Sequence, residues 1–134
     1  MKKRTACVAR QFDGYFIEPG IHHNGKLVLG ESIGDLCGVK LAYLAYKKSR
    51  EGKGPEPTID GFTPEQRFFI SLSQIWRVNC REEEIRRLVT VDPHSPGQFR
   101  AIGPHVNMQE FFSALKIGPE DKMWRAPELR AKIW

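Results

Sequence analysis

Apolar residues recur at helical spacing in several stretches of the chain. Ile33, Leu36, Cys37, Leu41, Leu44 and Ala45 fall on one face of a helix predicted from about Glu31 to Lys48. Lys47 and Lys48 sit at its end, where cations suit the negative pole of the helix. Gly34 and Gly38, four apart, weaken it by about 1 kcal/mol each and would let another backbone come close. A second helix opens at Thr63-Pro64-Glu65-Gln66, which combines an N-cap, a proline at the first helical position and a capping-box glutamine. Its apolar face is Phe68, Phe69, Leu72, Ile75 and Trp76. A third helix is predicted from about Glu82 to Val89, with acids first and arginines later. A fourth opens near Asn107-Met108-Gln109-Glu110, turns Phe111, Phe112 and Leu115 inward, and stops near Gly118.

Between these lie weaker signals. Residues 14–21 and 26–29 read as short extended pieces. Residues 51–62 form a loop with three glycines and two prolines. Pro93 and Pro96 bound another loop around His94. The prediction is a mainly α chain whose helices are too unequal for a symmetric bundle. A length of 134 residues fits one domain, and the 51–62 loop is a connection inside it.

Composition narrows the field only a little. The chain is 40% hydrophobic, so it is not disordered by composition, and it has no apolar run long enough to cross a membrane. Net charge is +5, but the basic residues alternate with acids, as in Arg81-Glu82-Glu83-Glu84-Ile85-Arg86-Arg87. That is a solvated helix face rather than a nucleic-acid surface. Cys7, Cys37 and Cys80 form no zinc-type pattern, and their odd number precludes a complete disulfide framework, though one pair stays open. Cys37, among apolar neighbours, reads as a buried structural thiol. The basic start, Met1 to Arg4, lacks the apolar stretch of a secretory signal.

Candidate chemistry sits in two places. Glu31 and Asp35 share a helix face, and two acids so placed repel unless something positive lies nearby. Compensation of the helix dipole explains Glu31 without a ligand, and a metal or a histidine of a metal site explains both. His94 is either an exposed loop histidine or a hydrogen-bond donor on a proline-shaped loop. Adjacent His22 and His23 would point oppositely on a strand, and no His-Glu-x-x-His segment is present, so the chain offers no complete zinc site of its own.

Two segments together resemble the neprilysin-like zinc metallopeptidases. Leu29-Gly30-Glu31-Ser32-Ile33-Gly34-Asp35, with its lead-in from Asn24, looks like the family's third-ligand helix. Asp92-Pro93-His94-Ser95-Pro96-Gly97-Gln98-Phe99-Arg100 looks like its substrate-contact loop. The likeness extends over Pro64–Trp76 and to the closing Trp134, so it covers nearly the whole chain from Cys7. It implies that Glu31 is a zinc ligand and that Asp35 orients a histidine ligand. It further implies that His94 donates to the developing oxyanion and that Arg100 holds substrate carbonyls. Ser32 stands where the family has an asparagine that contacts substrate backbone, and Gly34 also departs from the pattern.

The fold implied is the irregular, helical carboxy-terminal portion of a zincin-type catalytic domain, with residues 1–134 as a single partial domain. The function implied is part of a zinc-dependent metalloendopeptidase that hydrolyses peptides, lacking the segment that carries two ligands and the general base. Alone, the chain is expected to be inactive and to bind zinc weakly. Its expected partners are a peptide substrate, the upstream part of the catalytic domain, and a second copy of itself. The resemblance points to an extracytoplasmic or secreted setting. It also points to a bacterial-type member, since cysteines paired in animal members are missing near Arg77 and Ala131. The competing reading is a non-catalytic remnant or interaction module.

Overall fold

A computed structural model describes residues 2–133; Met1 and Trp134 lie outside the described residues. It opens on a helix that the hydrophobic pattern did not predict, α1, Lys2–Asp13. Val8, Ala9 and Phe12 supply its buried side, together with Gln11. A hairpin follows, β1 (Phe16–Glu18) paired antiparallel with β2 (Ile21–His22), inside the stretch expected to be extended. The chain then crosses back over α1 at Gly25, where a Cβ would lie 2.0 Å from the Ala9 carbonyl oxygen. Only glycine allows that approach, and the Gly25 amide donates to Asp13 Oδ1 at 2.7 Å.

Residues 26–29 are not extended as expected. Asn24 Oδ1 accepts from the amides of Lys26 and Leu27, at 3.1 and 3.2 Å. This side-chain turn winds the chain into α2, Leu29–Ser49. The inward face of α2 is Ser32, Leu36 and Tyr43, with Val39 and Tyr46 packed alongside. The predicted face was rotated, since Leu41 and Leu44 are 60% and 50% exposed. Gly34 and Gly38 also look onto open space, so no backbone approaches them among the described residues.

α3 (Pro64–Gln74) starts as its sequence indicates. The Thr63 hydroxyl accepts from the Gln66 amide, and the Gln66 side chain accepts from the Thr63 amide. Ile75, expected in its core face, is 66% exposed. α4 spans Glu82–Val91, the loop expected between Pro93 and Pro96 follows, and α5, Gly97–Ile102, is a short helix for which no element was predicted. After a 3₁₀ turn at His105–Asn107, α6 runs Gln109–Leu115. It ends at Lys116, which takes the left-handed conformation (φ 55°), and not at Gly118.

Two clusters form the core, and α2 spans both. Val8, Phe12, Val28, Leu36, Phe99 and Ala131 make one; Tyr43, Phe69, Val106, Met108, Phe111 and Phe112 make the other. Each fully buried aromatic contributes about 1.5–3 kcal/mol. A buried polar bridge ties the chain ends together. The Asn107 amide donates to Gln11 Oε1 and the Gly103 carbonyl at 2.8 Å, and its oxygen accepts from the Ala131 amide at 2.7 Å. This burial explains why Asn107 is not the cap of α6. Cys7, Cys37 and Cys80 are free thiols, and burial pushes the Cys37 thiol up from its ordinary pKa. No helix among the described residues is long and apolar enough to cross a membrane.

Candidate active site

The fold brings the first turns of α2 against the loop between α4 and α5. Glu31 and Asp35 project from α2 one turn apart. His94 comes from the loop, and Arg100 from α5. Four of the five predicted site residues thus meet, although 59 to 69 positions separate Glu31 and Asp35 from His94 and Arg100 in sequence.

Arg100 and Asp35 form the rigid part of the site. Nε and Nη2 of Arg100 donate to the two Asp35 oxygens, each at 2.7 Å. This two-pronged geometry is the strongest form of such a pair. Both side chains are largely withdrawn from water, 16% and 18% exposed. Asp35 accordingly holds the Arg100 guanidinium even further above its ordinary pKa. Trp76, just beyond α3, lies under the guanidinium, 4.1 Å from ring centre to Cζ. Arg100 is therefore fixed by a carboxylate at its edge and a ring on its face.

His94 is held from the other side. Asp92 Oδ1 accepts from the His94 amide at 2.8 Å and lies 2.7 Å from Nδ1. A carboxylate can only accept, so Nδ1 donates to Asp92, and by the same rule Nε2, 3.2 Å from Glu31 Oε2, is placed as a donor toward Glu31. The two hydrogen bonds to His94 hold the Asp92 carboxyl below its usual pKa. Glu31 Oε2 is also 3.8 Å from Arg100 Nη2. Glu31 and His94 are about half exposed, so the open side of the site is theirs. Gly97 sets the start of α5, because a Cβ there would come within 2.6 Å of the Trp76 carbonyl oxygen.

Ser32, the fifth predicted residue, lies apart. It is 3% exposed, and its hydroxyl donates to the Val28 carbonyl at 2.7 Å. His22 is exposed, while His23 is buried against Phe12 and Phe99. Sequence reasoning did not count Asp92 or Trp76 as site residues. The Asp-x-His spacing was a usable signal for Asp92, since an aspartate readily accepts from the amide two residues on. Nothing in the sequence distinguished Trp76 from a core aromatic.

The residues present do not by themselves fit a zinc centre. Among the described residues, no group of three His, Cys, Asp or Glu side chains could hold a metal ion. Glu31 offers one carboxylate, and a catalytic zinc normally has three protein ligands.

The family model for peptidase family M13 matches residues 1–131, and the chain belongs to that family. It is 38% identical to an endothelin-converting enzyme homolog of Locusta migratoria over 99% of this chain and 18% of that protein. It is 35% identical to neprilysin-3 of Drosophila melanogaster over 98% of this chain and 17% of that one. In structure it matches the inhibitor complex of the zinc metalloprotease ZMP1 of Mycobacterium tuberculosis, with a TM-score of 0.94 and 39% identity. That match covers 99% of this chain and 21% of the other. The chain therefore spans about a fifth of the length of the relatives it matches. The mainly helical fold and the neprilysin-like resemblance both hold.

Proposed function

We propose that this chain supplies one share of the catalytic centre of a zinc-dependent endopeptidase. The observation that carries the reading is the convergence of Glu31, Asp35, His94 and Arg100 within hydrogen-bonding reach. Zinc, when bound in a complete site, supplies Lewis-acid activation of water and of the peptide carbonyl. Glu31 is the ligand this chain would contribute. Asp35 spends one lone pair of each oxygen on Arg100, which leaves others to accept from a histidine brought by the rest of the site.

His94 and Arg100 act on substrate. In this reading the His94 ring donates from Nε2 to the oxygen of the attacked carbonyl while Nδ1–H stays on Asp92. A donor aimed at developing charge contributes about 3 kcal/mol to the rate. Arg100 has five N–H groups and uses two on Asp35, so three remain for substrate carbonyls. Because Asp35 and Trp76 already hold it, little side-chain freedom is lost on binding. Ser32, with its hydroxyl committed to Val28, is a helix-start residue in this reading and not a substrate contact.

The exposed stripe of Gly34, Gly38, Leu41 and Leu44 is where the upstream part of the catalytic domain would pack, or a second copy of the chain in its absence. Residues 1–134 are thus read as a partial domain. The test is a peptide-library assay on the metal-loaded chain. No hydrolysis is expected from the chain alone, and hydrolysis is expected once a His-Glu-x-x-His segment is supplied in the same polypeptide. Failure of that second arm would leave the non-catalytic interaction module as the surviving reading.

A further inference from the structure

The chain has three asparagines, and only Asn24 stands before a glycine. An asparagine side chain closes most readily onto a following glycine, because no Cβ hinders the attacking amide. Here the glycine is not replaceable. Gly25 crosses α1 so closely that a Cβ would meet the Ala9 carbonyl carbon at 2.8 Å as well as its oxygen. The fold therefore obliges the chain to carry a labile dipeptide at the entry to α2. We propose that Asn24–Gly25 is a site of spontaneous deamidation, held closed in the folded chain by Asp13. This chemistry stands apart from the peptidase reading of Glu31.

The reaction balances with water alone. The Gly25 amide nitrogen gives its proton to solvent base and bonds to Asn24 Cγ. The bond from Cγ to the side-chain nitrogen breaks, and ammonia leaves with a proton from solvent. Water then opens the cyclic imide at either carbonyl, giving aspartate or isoaspartate, with no change of oxidation state.

Several contacts hold the first step back. The Gly25 N–H donates to Asp13 Oδ1 at 2.7 Å, so losing the proton breaks that bond and leaves an anion beside a carboxylate. Asn24 Oδ1 accepts from the amides of Lys26 and Leu27, which fixes the side chain in its turn. The Asn24 carbonyl accepts from the Val28 amide at 3.2 Å, which pins the backbone as well. Gly25 is buried although Asn24 is exposed. Reaction thus waits on a local opening of the turn. Isoaspartate is the damaging product. It adds a methylene to the main chain where α1 leaves no room, and it shifts the side-chain oxygens away from the amides that start α2.

The experiment ages the full chain at mildly alkaline pH, in native buffer and in concentrated urea, and follows the Asn24 peptide by chromatography and mass spectrometry. Asn24 should deamidate in urea and about tenfold or more slowly in native buffer, while Asn79 and Asn107 stay intact in both. Asp13→Ala should raise the native rate several-fold in protein that keeps its helical circular dichroism. Asp13→Asn retains an acceptor oxygen, so it tests the loss of charge should the alanine variant fail to fold, and it should also raise the rate. Val89→Ala, which weakens the buried side of α4 away from Asp13, should leave the rate at the parent's value. Aged parent should lose stability to urea, whereas Asn24→Ser, which keeps a turn oxygen and cannot form the imide, should not. No deamidation in urea, equal rates in urea and native buffer, folded Asp13 variants at the parent's rate, or an equal rise in Val89→Ala would overturn the proposal. Equal ageing of the parent and Asn24→Ser would overturn the damage assigned to isoaspartate.

Discussion

His105 gives the chain a pH-dependent stability that can be worked out from its surroundings. The residue is 2% exposed. Its ring lies between Phe111, stacked at 5.2 Å, and Phe69, edge-on at 5.4 Å. Nδ1 reaches Ser73 Oγ at 3.5 Å, and Nε2 has no hydrogen-bond partner among the described residues. Burial disfavours the charged ring and, only partly offset by an interaction with the Ala101 backbone, lowers its pKa from 6.5 to about 4. Above pH 6.5 the ring is neutral in both the folded and unfolded states, and its contribution is fully present. As pH falls from 6.5 toward 4, the unfolded chain takes up a proton that the folded chain refuses. Stability then declines by about 1.4 kcal/mol per pH unit, roughly 3 kcal/mol in all, and levels off below about pH 4. His23 and the carboxylates titrate nearby, so the measurement must be a difference. Urea unfolding of the parent and of His105→Phe, from pH 7.5 to 4, isolates the term. The two stability curves should converge or cross by about 3 kcal/mol over that range. Parallel curves would show that His105 does not refuse the proton, and the argument from burial would fail.

Three further outcomes follow from the site and its surroundings. Asp35→Ala strands the Arg100 guanidinium and should destabilise the chain by about 2 kcal/mol in chemical denaturation, since it removes two charge-assisted hydrogen bonds that are largely, though not fully, shielded from water. Asp92→Asn should move the His94 Nδ1 resonance and weaken the Nδ1–H contact with residue 92. In the parent, that contact should persist above the usual carboxylate range and be lost only as pH falls through the lowered Asp92 pKa. Sedimentation equilibrium of the chain alone should show self-association, weakened by Leu41→Asp on the exposed stripe of α2; a strictly monomeric species would count against that stripe being a packing face.

The features legible in sequence were those written in local chemistry. The capping box at Thr63 and Gln66 has few other meanings, and α3 begins there. The acids and arginines of α4 likewise mark a helix without reference to the rest of the molecule. The inward face of α2 was not legible, because that helix carries apolar residues nearly all round. Tyr43, Tyr46 and Val39 are chosen by what α3 and α6 present, and Leu41 and Leu44 are left facing out. α1 was missed because Val8, Ala9 and Phe12 are few and sit among polar residues. They are buried by contacts with residues near 99 and 131, which local periodicity cannot register. The same holds at the site. Glu31, Asp35, His94 and Arg100 were found through family resemblance, and their spacing alone left dipole compensation open. Ser32 stands where the family has an asparagine, and its shorter side chain donates to the Val28 carbonyl one turn back, a contact that sequence alone did not indicate. Trp76 became visible only once the fold placed its ring against Arg100.

We propose that this chain divides its labour between holding a metal and stabilising a reaction. The most direct measurement compares Glu31→Ala with His94→Ala in a polypeptide that joins the chain to its His-Glu-x-x-His segment, scoring zinc content and single-turnover peptide hydrolysis. Glu31→Ala should lose zinc and with it all hydrolysis. His94→Ala should keep zinc and bind peptide, while the chemical step slows by about a hundredfold or more. Full zinc content in Glu31→Ala, or an unchanged kcat in His94→Ala, would contradict the account.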